Sequence, residues 1–262
     1  MFKFEKDKCY RMPAHFGGYP YQPMELCYHD VLNMVFSFKT DGNQLSNYIP
    51  EGFELLQPVV KIAFGQCREI DWMAGSAYNL VDVSVPVRFN GKRDQIEGTF
   101  ALVTWENKTA PILGGREETG VSKIFADIED LHILHNKRFT VAGHEGNSFL
   151  HLEMTVESQL DDSLMAKYKN APSNSMHWRY IPKVGAPGAD ISQAVLYPQR
   201  LEADKVWKGT GNIRWTKLSY EQCPNQCHII YALAELPMLE IYPVILIHGA
   251  IFLMPPSARV LE

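Results

Sequence analysis

A chain of 262 residues with 46% hydrophobic content can bury a large core, as one big domain or two small ones. Its net charge of -5 excludes the basic field that recruits nucleic acid or an anionic membrane surface. Five cysteines, an odd number in a chain this long, do not read as a disulfide framework.

The N-terminal stretch "MFKFEKDKCYRMPAHF" alternates charged and apolar residues and lacks the unbroken apolar core of a signal peptide, so a cytoplasmic protein is expected. Residues 31–39 alternate as a strand, and 40–52, "TDGNQLSNYIPEG", read as a short capped helix closed by Pro50. Residues 78–89 form a second strand ending at Asn90-Gly91, a strong hairpin signal, with 98–106 as the return strand. From 122 to 131 the apolar residues Ile124, Phe125, Ile128 and Leu131 lie three or four apart, which predicts an amphipathic helix capped by Ser122. Strands are predicted at 138–143, 148–157, 212–220 and 228–236, with a helix at 158–168. The aromatic residues of 176–182 read as strand packing. The longest apolar run, 244–254, is fenced by Pro243 and Pro255; it is too short to span a bilayer as a helix and suits a buried strand. No repeat or charged linker divides the chain, so one domain over 1–262 is expected, a mixed antiparallel sheet closed into a barrel-like body that can enclose an apolar cavity.

Metal and cofactor signals are weak. Cys223 and Cys227 in "CPNQCH" have three residues between them and only His228 nearby, so a turn at Pro224-Asn225 leading into a strand is expected. His132 and His135 share a spacing that suits one helix face but lack a third ligand nearby. His144 and His151 straddle a glycine turn, and His248 reads as a hydrogen-bonded core residue, with a general base in a barrel interior as the alternative. Phosphate-cradling glycine loops and the Gly-x-Ser-x-Gly elbow are missing from the sequence. No metal and no cofactor are assigned.

The least generic stretch is "GGREETGVSKIFADIED", residues 114–130, where Lys123 stands among acids with an apolar segment following it. An exposed lysine titrates near 10.4, so about one in two thousand is a free amine at neutral pH. Imine chemistry with a ketone needs the free amine, which burial or a second cation supplies. The protonated imine then accepts the electron pair of a breaking carbon–carbon bond.

Gly115, Arg116 and Glu117, then five residues, then Lys123 resemble the signature of the acetoacetate decarboxylase superfamily. The segments "VPVRFNG" (85–91), "VWKGTG" (206–211) and "LAELP" (233–237) are similar to further landmarks of that family, so the resemblance spans most of the chain. It implies a mainly β (α+β) fold, antiparallel sheets forming a cone-like β-barrel with an apolar cavity and a few short helices. It also implies an imine on Lys123, a small-molecule keto acid or ketone substrate and a homo-oligomer. Gly115, Arg116 and Glu117 are expected to support the lysine segment. Three positions depart from the family pattern, all toward apolar residues: Ile124 replaces the second lysine, Leu80 an acid and Val31 an arginine. Their loss leaves burial as the means of freeing the Lys123 amine and removes a handle for a substrate carboxylate. Glu118, Thr119 and Asp82 are the candidates for substrate contact or proton transfer. Three functions follow: a decarboxylase-type lyase on a β-keto acid or related carbonyl compound, an imine-dependent aldolase or dehydratase on a larger keto acid, or a non-catalytic small-molecule binding protein.

Overall fold

Period-two alternation of large apolar residues builds most of the structure. The computed structural model describes residues 1–21 and 24–262. Its principal strands are β1 (Leu26–Lys39), β2 (Val59–Ile70), β3 (Ser76–Asn90), β4 (Gln95–Glu106), β5 (Lys123–Phe125), β6 (Lys137–His144), β7 (Asn147–Gln159), β8 (Ala171–Pro182), β9 (Ala189–Trp215) and β10 (Val244–Leu253). The short helices are α1 (Gly42–Ser46), α2 (Thr109–Gly114), α3 (Asp162–Met165) and α4 (Cys227–Ala234). The chain is thus mainly β with few helices, as expected.

The pairings return on themselves. β1 pairs with β2, β2 with β3, β3 with β4, β4 with β8, β8 with β9, β9 with β10, and β10 again with β1. Beyond Lys205, β9 extends outward and pairs with β7, which carries β6. Among the described residues two contacts are parallel rather than antiparallel: Thr99 and Phe100 with Ser175 and Met176, and Thr104 to Glu106 with Lys123 to Phe125. The second of these parallel contacts places the site lysine.

Alternation sends Met34, Phe36 and Phe38 of β1, Ile62 and Phe64 of β2, Val81, Val83 and Val85 of β3 and Trp105 of β4 into one large buried core. The opposite face carries a smaller cluster of Tyr28, Val31, Cys67, Ile70 and Tyr78, with Leu80 packed on it. Val31 and Leu80, two of the apolar replacements, therefore lie together. A cavity of about 140 Å³, lined by Leu32, Leu246, Trp207 and Arg138, is a feature of the large-core side, and Lys123 does not line it.

Local expectations fail where tertiary pairing overrides them. Residues 122–131 are not a helix: Lys123–Phe125 and Asp127–Ile128 are strands. Gly120 at φ 72° ends the preceding helical turn, and the edge of β4 then captures the chain. Residues 228–236 are not a strand but mostly α4, since Ile230, Leu233 and Leu236 reach the large core at helical spacing. The turn at Pro224-Asn225 accordingly leads into a helix, and the strand predicted at 212–220 stops at Trp215. His132 lies on a short strand and His135 has φ 53°, so they share no helix face. A short capped helix is found within 40–52 as expected, with Asp41 as its cap, though it ends at Ser46 before Pro50. The hairpin joining β3 to β4 and the strand at 244–253 are also found.

Candidate functional site

The site is assembled from two strand ends and one loop. In the register, Leu80 opposes Glu106, Asp82 opposes Thr104, and Thr104 in turn opposes Lys123. Residues opposed in register share a face, so two acids and an amine converge beside the Tyr28–Tyr78 cluster. Lys123 Nζ lies 2.8 Å from Glu106 Oε1 and donates to the Pro111 carbonyl at 3.2 Å. The lysine side chain is 12% exposed and that of Glu106 only 1%. Glu106 Oε2 is buried without a hydrogen-bond partner among the described residues.

Burial pushes the Glu106 carboxyl above its ordinary range, with Lys123 opposing the rise but not cancelling it. Asp82 accepts from the Thr104 hydroxyl at 2.9 Å, and burial pushes its carboxyl up as well. Its charge adds to the upward push on Glu106. Cys67, pushed up to about 12 by burial, and Tyr78, pushed well up by the same cause, both feel the Glu106 charge.

The loop explains the glycine of the motif. α2 runs on into a π-helical turn, Gly115–Thr119, whose Gly115 carbonyl accepts from the Thr119 hydroxyl at 3.1 Å and from Val121 N at 2.9 Å. A Cβ on Gly115 would stand 2.5 Å from Lys123 Cδ, 2.7 Å from Cε and 3.0 Å from Nζ. Gly115 has φ -62°, which any residue adopts, so the requirement is for space. Gly115→Ala is therefore expected to shift the amine off Glu106. Turnover should fall by about 10²-fold, the usual penalty for a displacement near 1 Å, with little change in melting temperature. Steady-state rates and a thermal melt check it.

Arg116 donates from Nη1 to the Lys123 carbonyl at 2.9 Å, and the Glu117 carbonyl accepts from Arg179 Nη2 at 2.6 Å. Glu118 points away from the amine into a clamp, accepting from Arg11 through both carboxylate oxygens and from the Tyr19 hydroxyl. Burial works against ionising Glu118, but these donors outweigh it and hold the carboxyl below its usual value. Of the candidates, Lys123 and Asp82 thus lie on one face, while Thr119 and Glu118 are engaged in holding the loop.

Sequence reasoning missed Glu106 and His177. The signal for Glu106 was an acid ending the apolar run "FALVTW". His177, on β8, is 1% exposed; its Nε2 is 3.0 Å from the Ser175 hydroxyl. Burial first, and the charge of Lys123 second, push His177 down to about 3. A depressed histidine contributes stability that is complete above its unfolded value of 6.5 and is lost as pH falls toward 3. Lowering pH from 6.5 to about 4.5 should cost about 2–3 kcal/mol through this residue. His177→Gln should flatten that part of the pH dependence, read from urea midpoints of both proteins. Equal slopes would count against it.

The model of the family described as acetoacetate decarboxylase (ADC) matches residues 11–247, and this chain belongs to that family. An acetoacetate decarboxylase of Burkholderia ambifaria is 25% identical over 244 residues, covering 90% of this chain and 88% of that protein. The solved acetoacetate decarboxylase of Legionella pneumophila superposes with a TM-score of 0.75 at 19% identity, covering 94% of this chain and 92% of the other. The enduracididine biosynthesis enzyme MppR, solved with pyruvate, superposes at 0.69 and 13% identity, covering 92% of each chain. Such low identities establish the fold, and with the family they make this a decarboxylase-like enzyme of a small-molecule substrate. No helix among the described residues is long and apolar enough to cross a membrane.

Proposed function

We propose that this chain is a carbon–carbon lyase that works through an imine on Lys123, acting on a β-keto acid or related carbonyl compound, with Glu106 as its proton carrier. The observation that carries the reading is the 2.8 Å contact between the Lys123 amine and the buried Glu106 carboxyl, held under the Gly115 loop. Starting from the ammonium–carboxylate pair, Glu106 first takes one proton to free the amine, which adds to the substrate carbonyl carbon. A second proton then passes from nitrogen to the carbinolamine oxygen, and Glu106 returns its own, so that the oxygen leaves as water. The resulting iminium accepts the electron pair of the breaking carbon–carbon bond to give an enamine. Protonation of the enamine on carbon and hydrolysis by water release the product and the amine. Acetoacetate decarboxylase itself is the known case of a lysine activated beside another cation. Here Ile124 packs toward the large core and the amine's nearest charge is an acid.

Glu106 also favours the second reading, aldol or dehydration chemistry. A carboxylate beside the amine can accept the proton of a substrate hydroxyl, which retro-aldol and dehydration steps require. Incubation with a panel of ketones and keto acids, followed by borohydride reduction, should add the substrate mass to Lys123. The absence of any adduct across the panel sinks both readings. Given an adduct, acetone release from acetoacetate selects decarboxylation, and aldehyde release from a β-hydroxy ketone selects aldol cleavage.

A further inference from the structure

A second constellation lies at the start of β1, separate from the lysine. Cys27 and His29 are two residues apart on one strand, so their side chains leave the same face. Asp71 reaches them from the turn that follows β2, where Ile70 opposes Tyr28 in register. Cys27 Sγ is 3.4 Å from His29 Nδ1, and His29 Nε2 is 2.8 Å from Asp71 Oδ1. One donor atom from each residue lies within 4.8 Å of the other two.

We propose that Cys27 Sγ and His29 Nδ1 ligate a divalent transition-metal ion, with Asp71 orienting the imidazole, water filling the remaining positions and Zn²⁺ as the best chemical fit. Asp71 accepts from the Nε2–H of His29, which leaves Nδ1 as the bare nitrogen with its lone pair toward the sulfur. A carboxylate behind an imidazole is the arrangement that orients metal-binding histidines and strengthens them as donors. Zinc bonds of about 2.3 Å to sulfur and 2.0–2.1 Å to nitrogen, at a tetrahedral angle, separate the two donors by about 3.5 Å. The 3.4 Å found here needs almost no adjustment. Thiolate plus imidazole selects zinc or cobalt over magnesium or calcium, which take oxygen ligands. On binding, the thiol proton passes to solvent and the thiolate takes its place in the coordination shell.

The ion would brace one wall of the lysine site. Trp72, next to Asp71, donates from Nε1 to the Tyr28 hydroxyl at 3.0 Å, and Tyr28 sits between the two strand ligands. The Tyr78 hydroxyl contacts that of Tyr28 at 3.3 Å, and Tyr78 feels the charge of Glu106. Fixing the His29 ring also holds its partner Asp71, and with it the turn that closes the Tyr28–Tyr78 cluster.

Co²⁺, which absorbs where Zn²⁺ does not, is the probe. The chelator-treated full chain should bind one equivalent with a thiolate-to-cobalt charge-transfer band in the near ultraviolet, and Zn²⁺ should displace it. Cys27→Ser should abolish the band. His29→Asn should lower affinity at least about 10-fold, and Asp71→Asn about 10–100-fold with the band retained, as for an orienting carboxylate. His29 and Asp71 are exposed, so these two variants keep the fold and the test survives a failure of Cys27→Ser to fold. Binding without a thiolate band, a band that survives Cys27→Ser, or affinity unchanged in His29→Asn would overturn the proposal.

Discussion

Glu106→Gln should lower turnover by about 10²–10⁴-fold, the range ascribed to a positioned general acid–base, while leaving Lys123 able to form a borohydride-reducible adduct slowly. The amide keeps the shape of the side chain but cannot carry the proton between amine and carbinolamine. A pH profile separates this role from a packing role. Burial raises the Glu106 carboxyl, so the ionised base is lost as pH falls through a value above the ordinary 4.5. Wild-type activity should therefore decline on that acidic limb, and the limb should disappear in Glu106→Gln. A variant with unchanged rate and an unchanged limb would remove Glu106 from the chemistry.

What the sequence disclosed depended on whether the determinant was local. The motif from Gly115 to Lys123 is one loop, and its spacing pointed to the lysine. The room that Gly115 leaves for the amine became visible only once the side chains met. The alternation in β1, β3 and β4 was equally legible, because each face of those strands packs on a different layer. Glu106 was not legible, since an acid at the end of an apolar strand looks the same whether it meets water or a lysine. The outcome rests on the parallel pairing of Thr104 with Lys123 across an intervening loop, which no local pattern encodes. That pairing holds Ile124 in a strand, and Ile128 joins a second one opposite Ala142, so the helical spacing of 124–131 forms no helix. In α4 the opposite occurred: β-branched residues suggested a strand, but Ile230 and Leu233 found the core as a helix. Cys27, His29 and Asp71 are 44 residues apart from first to last, and the turn after β2 brings the third to the other two.

Lys123→Met should abolish turnover, by on the order of 10⁴-fold or more, and eliminate the reducible adduct, because in the proposed mechanism the amine supplies the covalent step. Methionine keeps the methylenes that fill the space beside Gly115, so the loop loses its charge but little of its packing. Stability should respond through Glu106, left buried without its cation. Its carboxyl, already raised by burial, then loses the opposing pull of Lys123 and rises further. The sign follows from linkage: a carboxyl raised in the folded state contributes stability present below about 4.5, the unfolded value, and lost as pH climbs through the folded value. Lys123→Met should therefore resemble wild type in acid and weaken by up to about 1.4 kcal/mol per pH unit across that window. Adding Glu106→Gln to Lys123→Met removes the titrating group, so the double variant should be more stable than the single one at alkaline pH while remaining inactive. Chemical denaturation of the four proteins at two pH values closes the cycle. If Lys123→Met loses the same stability at both pH values, the 2.8 Å pair is not the energetic unit proposed for it. Retained turnover in that variant would end the imine mechanism outright.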